Sequence, residues 1–246
     1  MATVILQRHG RTTANAGGVL AGRLPGVRLD ETGRQQAQDA AARLLAVPLV
    51  GAVSSPQERC GETASYVVDA LAAQGRTLAV EIDERLAECD YGDWQGRPLK
   101  ELAGEDLWKV VQRQPSAATF PGGESLRTMQ RRAVDAVRER DAALEAAHGE
   151  NAVWLAVTHG DIVKAVLADA LGMHLDLFQR LHADPASLTI IRYGAARPVV
   201  LQANSHAGDL AWLDRPPAGG DVGGGAGPGA SPSEAAAPAA APTTTS

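Results

Sequence analysis

The sequence predicts an α/β fold in which short buried strands alternate with amphipathic helices. Two apolar runs, 3–6 and 152–157, are short and rich in β-branched residues, as expected for parallel strands covered on both faces. Between them lie stretches with helical spacing of apolar residues, of which 30–46 is one example. Each of these runs starts a predicted strand, and each strand leads directly into His-Gly, at His9 in the first case and at His159 in the second. Because open α/β sheets bind ligands at the carboxyl ends of their strands, we expect both histidines at that edge.

Capping residues indicate where the helices begin, and glycines indicate where they end. Asp30 and Asp161 are predicted N-caps, and Pro56 fits the first turn of a helix, where its missing N–H is not needed. Gly75 and Gly172 are predicted to end helices. After the first strand, we predict a glycine-rich loop at 12–27, a helix at 30–46, a strand at 47–53, a helix at 56–72 and a strand at 77–82. A helix at 98–114, a loop at 115–120 and a helix from 124 or 125 to 147 follow. The last predicted elements are a strand at 151–157, a helix at 162–171, a short helix at 175–181 and two edge strands at 186–193 and 198–202.

The composition is that of one ordinary domain with a substantial core. The chain has 246 residues, of which 45% are hydrophobic. Its formal net charge of -6 provides no basic field for nucleic acid or for a membrane surface. There is no apolar run of about 18 residues, and no basic segment followed by an apolar one at the N-terminus. We therefore expect a cytoplasmic protein with neither a nucleic-acid nor a membrane partner.

The last part of the sequence differs from the rest. Glycine, alanine-proline and threonine runs follow one another with almost no large apolar residue, so this segment cannot bury enough surface to fold. We predict one folded domain over 1–213 and a disordered tail, rich in Gly, Ala, Pro and Thr, over 214–246. Two cysteines, Cys60 and Cys89, are too few for a disulfide framework and are predicted to be small buried residues.

Basic residues lie at the end of the first predicted strand and near the start of one predicted helix. Arg8 and His9 arrive together at the sheet edge, and Gly10 lets the backbone turn tightly beside a ligand. A fixed cation beside an imidazole suits an anion that is also an electrophile, such as a phosphoryl group. Arg59 lies near the predicted start of a helix, where unpaired backbone N–H groups also favour anions.

Five motifs, in this order, resemble those of the histidine phosphatase superfamily, the phosphoglycerate-mutase-like proteins. The resemblance extends to about residue 210. The motifs are Arg8-His9-Gly10, Ser54-Ser55-Pro56 with Arg59 and Thr63, the segment 86–96 around Glu88, Gly122-Gly123-Glu124-Ser125, and His159-Gly160.

The resemblance implies a three-layer sandwich with a mostly parallel central sheet flanked by helices. It also implies that His9 accepts the phosphoryl group as a phosphohistidine and that Glu88 is the proton donor. Some distant branches of the superfamily use an aspartate directly after the second histidine as the donor. Gly160 occupies that place here, which favours Glu88 over Asp161. Arg8, Arg59 and a protonated His159 would then hold the phosphoryl oxygens.

The predicted substrate-binding residues surround this centre. The loop after the first strand is expected to bring Thr12, Asn15 and Arg23 over the mouth of the pocket, and Gly160 is expected to border it. No metal or other cofactor is predicted. As a hypothesis, further basic side chains around the entrance favour a multiply anionic ester such as a sugar phosphate or phosphoglycerate. These are Arg11, Arg23, Arg28, Arg97 and Lys100.

Three functions fit these predictions to different degrees. The leading hypothesis is a metal-independent phosphomonoester hydrolase acting on a small phosphorylated substrate. The alternative is a phosphomutase, in which the phosphohistidine passes its group to a substrate hydroxyl instead of water. The short stretch between Gly96 and Pro121 favours hydrolysis, because glycolytic mutases carry a longer insertion there. A non-catalytic phosphate-binding module is the third hypothesis, and homodimer formation is expected only by analogy with the family.

Overall fold

The computed structural model describes residues 2–194 and 196–207, and in this part of the chain six strands form one sheet. The order across the sheet is β3-β2-β4-β1-β5-β6. The first four strands in this order are parallel, and β5 and β6 add an antiparallel hairpin at one edge, as predicted. The strands are β1 (Thr3–Arg8), β2 (Leu49–Ser54), β3 (Val80–Ile82), β4 (Val153–Thr158), β5 (Leu188–Tyr193) and β6 (Pro198–Ser205).

Helices cover both faces of the sheet, which confirms the three-layer architecture. Along β1, Val4 and Leu6 belong to one core cluster, whereas Ile5 belongs to the other. This alternation follows from the two-residue period of a strand. The helices are α1 (Thr13–Ala16), α2 (Glu31–Leu44), α3 (Glu58–Ala72), α4 (Leu99–Leu102), α5 (Asp106–Arg113), α6 (Leu126–His148) and α7 (Gly160–Ala170). Residues of α2 and α3 line the cluster containing Ile5, and α6 and α7 line the other.

The two predicted histidine strands are neighbours, although about 150 residues separate them in the sequence. β1 and β4 pair in parallel, with Arg8 opposite Thr158. The backbone N–H of His9 donates to the carbonyl oxygen of Thr158 at 2.9 Å. The sheet therefore places the two His-Gly ends side by side.

Several predicted boundaries were wrong for local reasons. The predicted loop at 12–27 contains α1, which Thr12 and Asn15 stabilise through a reciprocal capping box. The predicted helix at 98–114 is two helices, because Gly104 falls within a tight turn between α4 and α5. The predicted loop at 115–120 includes a short 3-10 turn at Pro115–Ala117.

Two predicted helix starts were also wrong. Pro56 lies outside α3, because Gln57 is the N-cap. His159 is the N-cap of α7, so Asp161 lies in the first helical turn, where it meets the side chains of Tyr91 and Lys164. By contrast, Asp30 is the N-cap of α2, and its carboxylate accepts from the Gly33 N–H at 2.7 Å, as predicted.

The buried face of α6 differs from the predicted one near its end. Helical spacing predicts an apolar face formed by Met129, Ala133, Val134, Val137, Ala142 and Leu144. Ala142 is nevertheless exposed, and Asp141 is buried instead. The Trp154 indole N–H donates to Asp141 Oδ1 at 2.8 Å, which gives the buried carboxylate a partner. Helical periodicity cannot reveal this exchange because it depends on a side chain from β4.

Three other predictions concern the chain as a whole. Cys60 and Cys89 are buried free thiols, as predicted. Among the helices of residues 2–194 and 196–207, none has both the length and the apolar character needed to cross a membrane. The predicted tail at 214–246 lies outside the described residues.

Candidate active site

The five predicted catalytic side chains converge at the carboxyl ends of β1 and β4. Each comes from a different local setting: the end of β1, the turn after it, the first turn of α3, the loop after the 3-10 turn at Glu84–Leu86, and the N-cap of α7. All five are buried, with at most 3% of each residue exposed. These residues are Arg8, His9, Arg59, Glu88 and His159.

His9 is held with one ring nitrogen free of a proton. Nδ1 lies 2.7 Å from the Gly10 carbonyl oxygen, which can only accept, so Nδ1 carries the hydrogen. Nε2 accepts from Arg59 Nε at 3.3 Å. Burial, followed by the guanidinium groups of Arg59 and Arg8, lowers the pKa of His9 well below its usual value. Nε2 of His9 therefore presents an unprotonated lone pair next to a cation.

Glycines allow the turn after β1 to approach α2 closely. A Cβ atom on Gly10 would lie 2.4 Å from the Gly33 carbonyl oxygen, and one on Gly33 would lie 1.9 Å from the Arg11 carbonyl oxygen. The Gly10 N–H donates to Thr63 Oγ1 at 3.1 Å, which ties the same turn to α3. The position of His9 thus depends on two close backbone contacts.

Arg59 contacts both histidines. Besides the contact of its Nε with His9, its Nη2 donates to the Gly22 carbonyl oxygen at 2.7 Å and lies 3.1 Å from His159 Nδ1. Its Nη1 is buried and has no hydrogen-bond partner within the described residues. A buried guanidinium with an unused N–H group beside an unprotonated imidazole nitrogen suits an incoming phosphoryl oxygen.

The surroundings of His159 favour its neutral form, whereas the predicted role requires an imidazolium. Burial lowers its pKa well below the usual value, and the guanidinium groups of Arg59 and Arg8 lower it further. Its ring lies edge-on to that of His9, with centroids 5.3 Å apart. The predicted role as a third cation therefore requires His159 to take up a proton from the bound ligand.

Glu88 has the protonation behaviour that its predicted role requires. Burial, followed by the carboxylate of Asp161, raises the pKa of Glu88 to about 7. Its Oε2 lies 3.8 Å from His159 Nδ1, and its Oε1 accepts from the Cys89 N–H at 3.0 Å. A carboxyl group that is partly protonated near neutral pH can donate a proton to a leaving oxygen.

Asp161 is a residue of the site that sequence reasoning assigned as a helix cap and set aside as a proton donor. Its Oδ2 accepts from the Tyr91 hydroxyl at 2.8 Å, and its Oδ1 lies 3.2 Å from Lys164 Nζ. The buried carboxylate of Asp161 contributes to the raised pKa of Glu88. Nothing in the sequence pattern indicates it, because the contact joins the loop after β3 to α7.

The segment carrying Glu88 is held by a second group of charges that the sequence did not reveal. Arg132, on α6, donates to the carbonyl oxygens of Arg85, Ala87 and Glu88 at 2.6, 2.7 and 3.1 Å. It also pairs with both carboxylate oxygens of Glu124, at 2.6 and 3.0 Å. Glu124 belongs to the recognised Gly-Gly-Glu-Ser motif, but Arg132 has no sequence signal of its own.

Of the four predicted substrate-binding residues, two line the cavity beside His9 and two do not. Thr12 and Asn15 line a small cavity that also contains His9, Arg59 and Glu88, and the rest of its lining is Leu20, Ala21, Gly22 and Tyr91. Arg23 and Gly160 do not line it. Gly160 is the buried first residue of α7.

Most of the basic side chains that were predicted around the entrance form ion pairs with carboxylates of the chain. The Nε of Arg23 donates to the Glu88 carbonyl oxygen at 2.8 Å, and its Nη2 pairs with Glu124 at 2.9 Å. Arg11 pairs with Asp30 at 2.8 Å, and Arg97 pairs with Glu105 at 2.8 Å. Arg28 and Lys100 are exposed. A preference for multiply anionic esters stays a prediction.

Potential metal ligands do not gather in the part of the chain that the structure describes. Within residues 2–194 and 196–207, no group of three or more His, Cys, Asp or Glu side chains is arranged to hold a metal ion.

Known proteins share both the sequence pattern and the architecture. The chain is 36% identical over 196 residues to the bifunctional protein Rv2228c of Mycobacterium tuberculosis, a match that covers 78% of this chain and 50% of that protein. The chain thus spans about half the length of the first curated relatives that it matches. Phosphoserine phosphatase 1 of Hydrogenobacter thermophilus is 30% identical over 217 residues, or 85% of this chain and 96% of that protein. The 2,3-bisphosphoglycerate-dependent phosphoglycerate mutase of Thermoplasma acidophilum is 28% identical over 210 residues, covering 83% and 94%.

The fold and the family motifs extend over the same part of the chain. YhfR of Bacillus stearothermophilus superposes with a TM-score of 0.74 at 30% identity, covering 84% of this chain and 98% of that one. The model of the histidine phosphatase superfamily, branch 1, matches residues 4–206, which includes both His-Gly strand ends and Glu88. The chain belongs to the histidine phosphatase superfamily.

Proposed function

We propose that this chain is a metal-independent phosphomonoester hydrolase that acts through a phosphohistidine on His9. The observation that carries the proposal is the pairing of His9 with Arg59. The unprotonated Nε2 faces a guanidinium whose Nη1 has no hydrogen-bond partner among the described residues. Phosphoryl transfer needs mainly positioning and stabilisation of charge on the equatorial oxygens, and this arrangement supplies both.

The reaction has two steps. In the first, the Nε2 lone pair of His9 attacks phosphorus, the ester P–O bond breaks, and protonated Glu88 gives its proton to the leaving oxygen. In the second, the Glu88 carboxylate takes a proton from water while the water oxygen attacks phosphorus. The P–N bond breaks, inorganic phosphate leaves, and His9 and protonated Glu88 are restored.

The test is phosphate release from a small aryl phosphate and from an alkyl phosphate, in the presence of a metal chelator. We expect turnover in the wild type, none in His9→Ala, and a decrease of about 10²-fold or more in Glu88→Gln with the alkyl ester. His148→Ala and Glu150→Gln change exposed residues and are the matched controls. Chelator-sensitive activity, or full activity in His9→Ala, would contradict the proposal.

The covalent intermediate is tested separately. Rapid acid-free quenching after mixing with a radiolabelled ester is expected to trap a base-stable, acid-labile label on the wild type. The same label should be missing from His9→Ala. A chain that hydrolyses esters without this label would use water directly, and the phosphohistidine step would be wrong.

The alternative is a phosphomutase, and the similarity to a phosphoglycerate mutase favours keeping it. It differs in the acceptor of the second step, which is a substrate hydroxyl instead of water. In a mutase the labelled enzyme persists in buffer and loses its label to an added phosphoglycerate. In a hydrolase the label decays in buffer alone. Substrate identity, cytoplasmic location and homodimer formation stay predictions, as does the activity of the whole protein if the chain is part of a longer one.

A further inference from the structure

Gln57 lies inside the site, although it is not among the residues of the recognised sequence motif. It is the N-cap of α3, but its side chain makes no capping hydrogen bond to that helix. Instead, its Oε1 contacts three groups: the Ser55 hydroxyl, the Glu88 N–H at 3.3 Å and His159 Nε2 at 2.8 Å. One amide oxygen thus joins the predicted proton donor to the second histidine.

These contacts determine which ring nitrogen of His159 carries its hydrogen. The backbone N–H of Glu88 can only donate, so the atom of Gln57 that it contacts is the oxygen, which can only accept. Nε2 of His159 therefore carries the hydrogen, with Ser55 Oγ also close to it at 2.6 Å. Nδ1 is left without a hydrogen, and it faces Arg59 Nη2 at 3.1 Å and Glu88 Oε2 at 3.8 Å.

The two histidines of the site consequently have opposite tautomers. His9 carries its hydrogen on Nδ1, which points to the Gly10 carbonyl oxygen, and His159 carries it on Nε2. Each presents its unprotonated nitrogen to the same guanidinium, that of Arg59. The other tautomer of His159 would direct an N–H group at an N–H group of Arg59, which is repulsive.

We propose that Gln57 is a positioning residue that fixes His159 as the Nε2-H tautomer and so keeps Nδ1 open to the transferring phosphoryl group. This rests on the proposed function. When the bound ester carries a proton on a phosphoryl oxygen, that proton passes to Nδ1, and the resulting Nδ1–H donates a hydrogen bond back to the same oxygen. Gln57 Oε1 continues to accept from Nε2–H throughout. The charged and titratable groups around His159 are Arg59 and Cys60 from α3, Arg8 and His9 from β1 and the turn after it, Glu88, and Arg132 from α6.

The direct test is NMR of protein labelled with ¹⁵N-histidine, using long-range ¹H–¹⁵N spectra without substrate. His9→Gln and His159→Gln assign the two rings. We expect His159 with a hydrogen on Nε2 and His9 with a hydrogen on Nδ1 in the wild type. In Gln57→Leu we expect His159 to lose the pure Nε2-H form while His9 is unchanged. A wild-type His159 with its hydrogen on Nδ1, or an unchanged His159 in Gln57→Leu, would overturn the proposal.

A second variant keeps the proposal testable if Gln57→Leu does not fold. Gln57→Glu retains an acceptor oxygen and adds a negative charge beside Nε2. We expect it to keep the Nε2-H tautomer and to raise the pH at which His159 becomes doubly protonated by at least about one pH unit. No rise would contradict the assigned contact. Gln35→Leu, which changes an exposed glutamine bonded to Asp39 on α2, should leave both histidines unaltered.

Kinetics then separate this role from the hydrolase proposal itself. In Gln57→Leu we expect kcat/KM to fall by up to about 10²-fold, the loss typical of one misdirected donor to developing charge. A changed tautomer with unchanged kcat/KM would show that Gln57 orients His159 without serving the reaction, which would overturn its proposed role. Absence of turnover in the wild type would contradict the hydrolase and leave the tautomer result standing.

Discussion

A carboxyl group buried as deeply as that of Glu88 binds a proton more tightly in the folded chain than in the unfolded one. Its pKa is raised from 4.5 to about 7 on folding, with burial as the largest cause and Asp161 as the next. Between these two values the folded state holds more protons than the unfolded state, so the contribution of Glu88 to stability decreases as the pH rises. The site is therefore ready for acid catalysis at a cost in stability.

This predicts that Glu88→Gln stabilises the protein at alkaline pH. At pH 8 the wild type holds a charged, buried carboxylate, and its removal should raise the free energy of unfolding by on the order of 3 kcal/mol. At pH 4 the two proteins should differ little, because Glu88 is then largely protonated in both states. Urea unfolding at both pH values, with Glu150→Gln as the exposed control, measures the difference. An equal effect of Glu88→Gln at both pH values would contradict the raised pKa.

The same group predicts the pH dependence of catalysis. The proposed first step requires protonated Glu88, so kcat/KM for an alkyl phosphate should fall as the pH rises above about 7. Asp161→Asn removes a carboxylate that raises the pKa of Glu88, and the fall should move to lower pH. Asp169→Asn, which changes a carboxylate paired with Arg138 away from the site, should leave the profile unchanged. A profile in Asp161→Asn identical to that of the wild type would mean that Asp161 does not influence Glu88.

At the scale of elements, the site is assembled by contacts between helices, loops and strand ends. Arg132 reaches from α6 to three carbonyl oxygens of the segment 85–88, and Thr158 at the end of β4 donates to the Leu86 carbonyl oxygen at 2.7 Å. These bonds give partners to carbonyl oxygens of the 3-10 turn at Glu84–Leu86 and of the loop that follows it. The location of Glu88 thus depends on α6 as much as on its own motif.

We predict that Arg132→Lys lowers kcat while the protein still folds. A lysine keeps the charge but cannot reproduce the planar set of contacts with Glu124 and the carbonyl oxygens. A displacement of Glu88 of about 1 Å is enough to cost about 10²-fold in rate. Steady-state kinetics, with Arg131→Lys on the exposed side of α6 as the control, provide the measurement. Unaltered kcat in Arg132→Lys would show that Glu88 is held adequately without it.

Two glycines on helices provide a second prediction at this scale. Gly33→Ala places a Cβ atom 1.9 Å from the Arg11 carbonyl oxygen, so α2 has to move away from the turn that carries His9. We expect the free energy of unfolding to decrease by more than about 2 kcal/mol, as for other overpacked sites. Gly61→Ala on α3 meets no atom within 4 Å and should stabilise the protein by about 0.5–1 kcal/mol. Denaturant unfolding of both variants measures their free energies of unfolding. Equal changes in the two variants would contradict the close contact at Gly33.

At the scale of the whole molecule, a sheet covered by helices on both faces supports one reactive edge. The parallel pairing of β1 with β4 brings the two histidines together, and the antiparallel hairpin β5–β6 continues the sheet beyond β1. The match to the family model ends at residue 206. The site therefore draws its residues from the part of the chain that precedes the glycine- and alanine-rich segment.

This predicts that the segment 214–246 is not needed for folding or for catalysis. A chain ending at residue 213 should retain its melting temperature and its kcat/KM within experimental error, because a segment without large apolar residues adds little buried surface. Thermal unfolding and phosphatase assays of the two chains provide the comparison. A substantial loss of either property would mean that the predicted domain boundary is wrong.

The sequence by itself predicted the parallel strands, the two His-Gly ends and the residue types of the site. These features are local, because each strand is a short apolar run and each predicted catalytic residue stands within a short motif. Only the tertiary structure decided the partners of those residues. Gln57 contacts Glu88 and His159, Asp161 contacts Tyr91, and Arg132 contacts Glu88. These partners lie 31 to 102 positions apart in the sequence, so no pattern of neighbouring residues indicates the contacts. The protonation states followed from the same cause, because burial and the charges that folding brings together determine them.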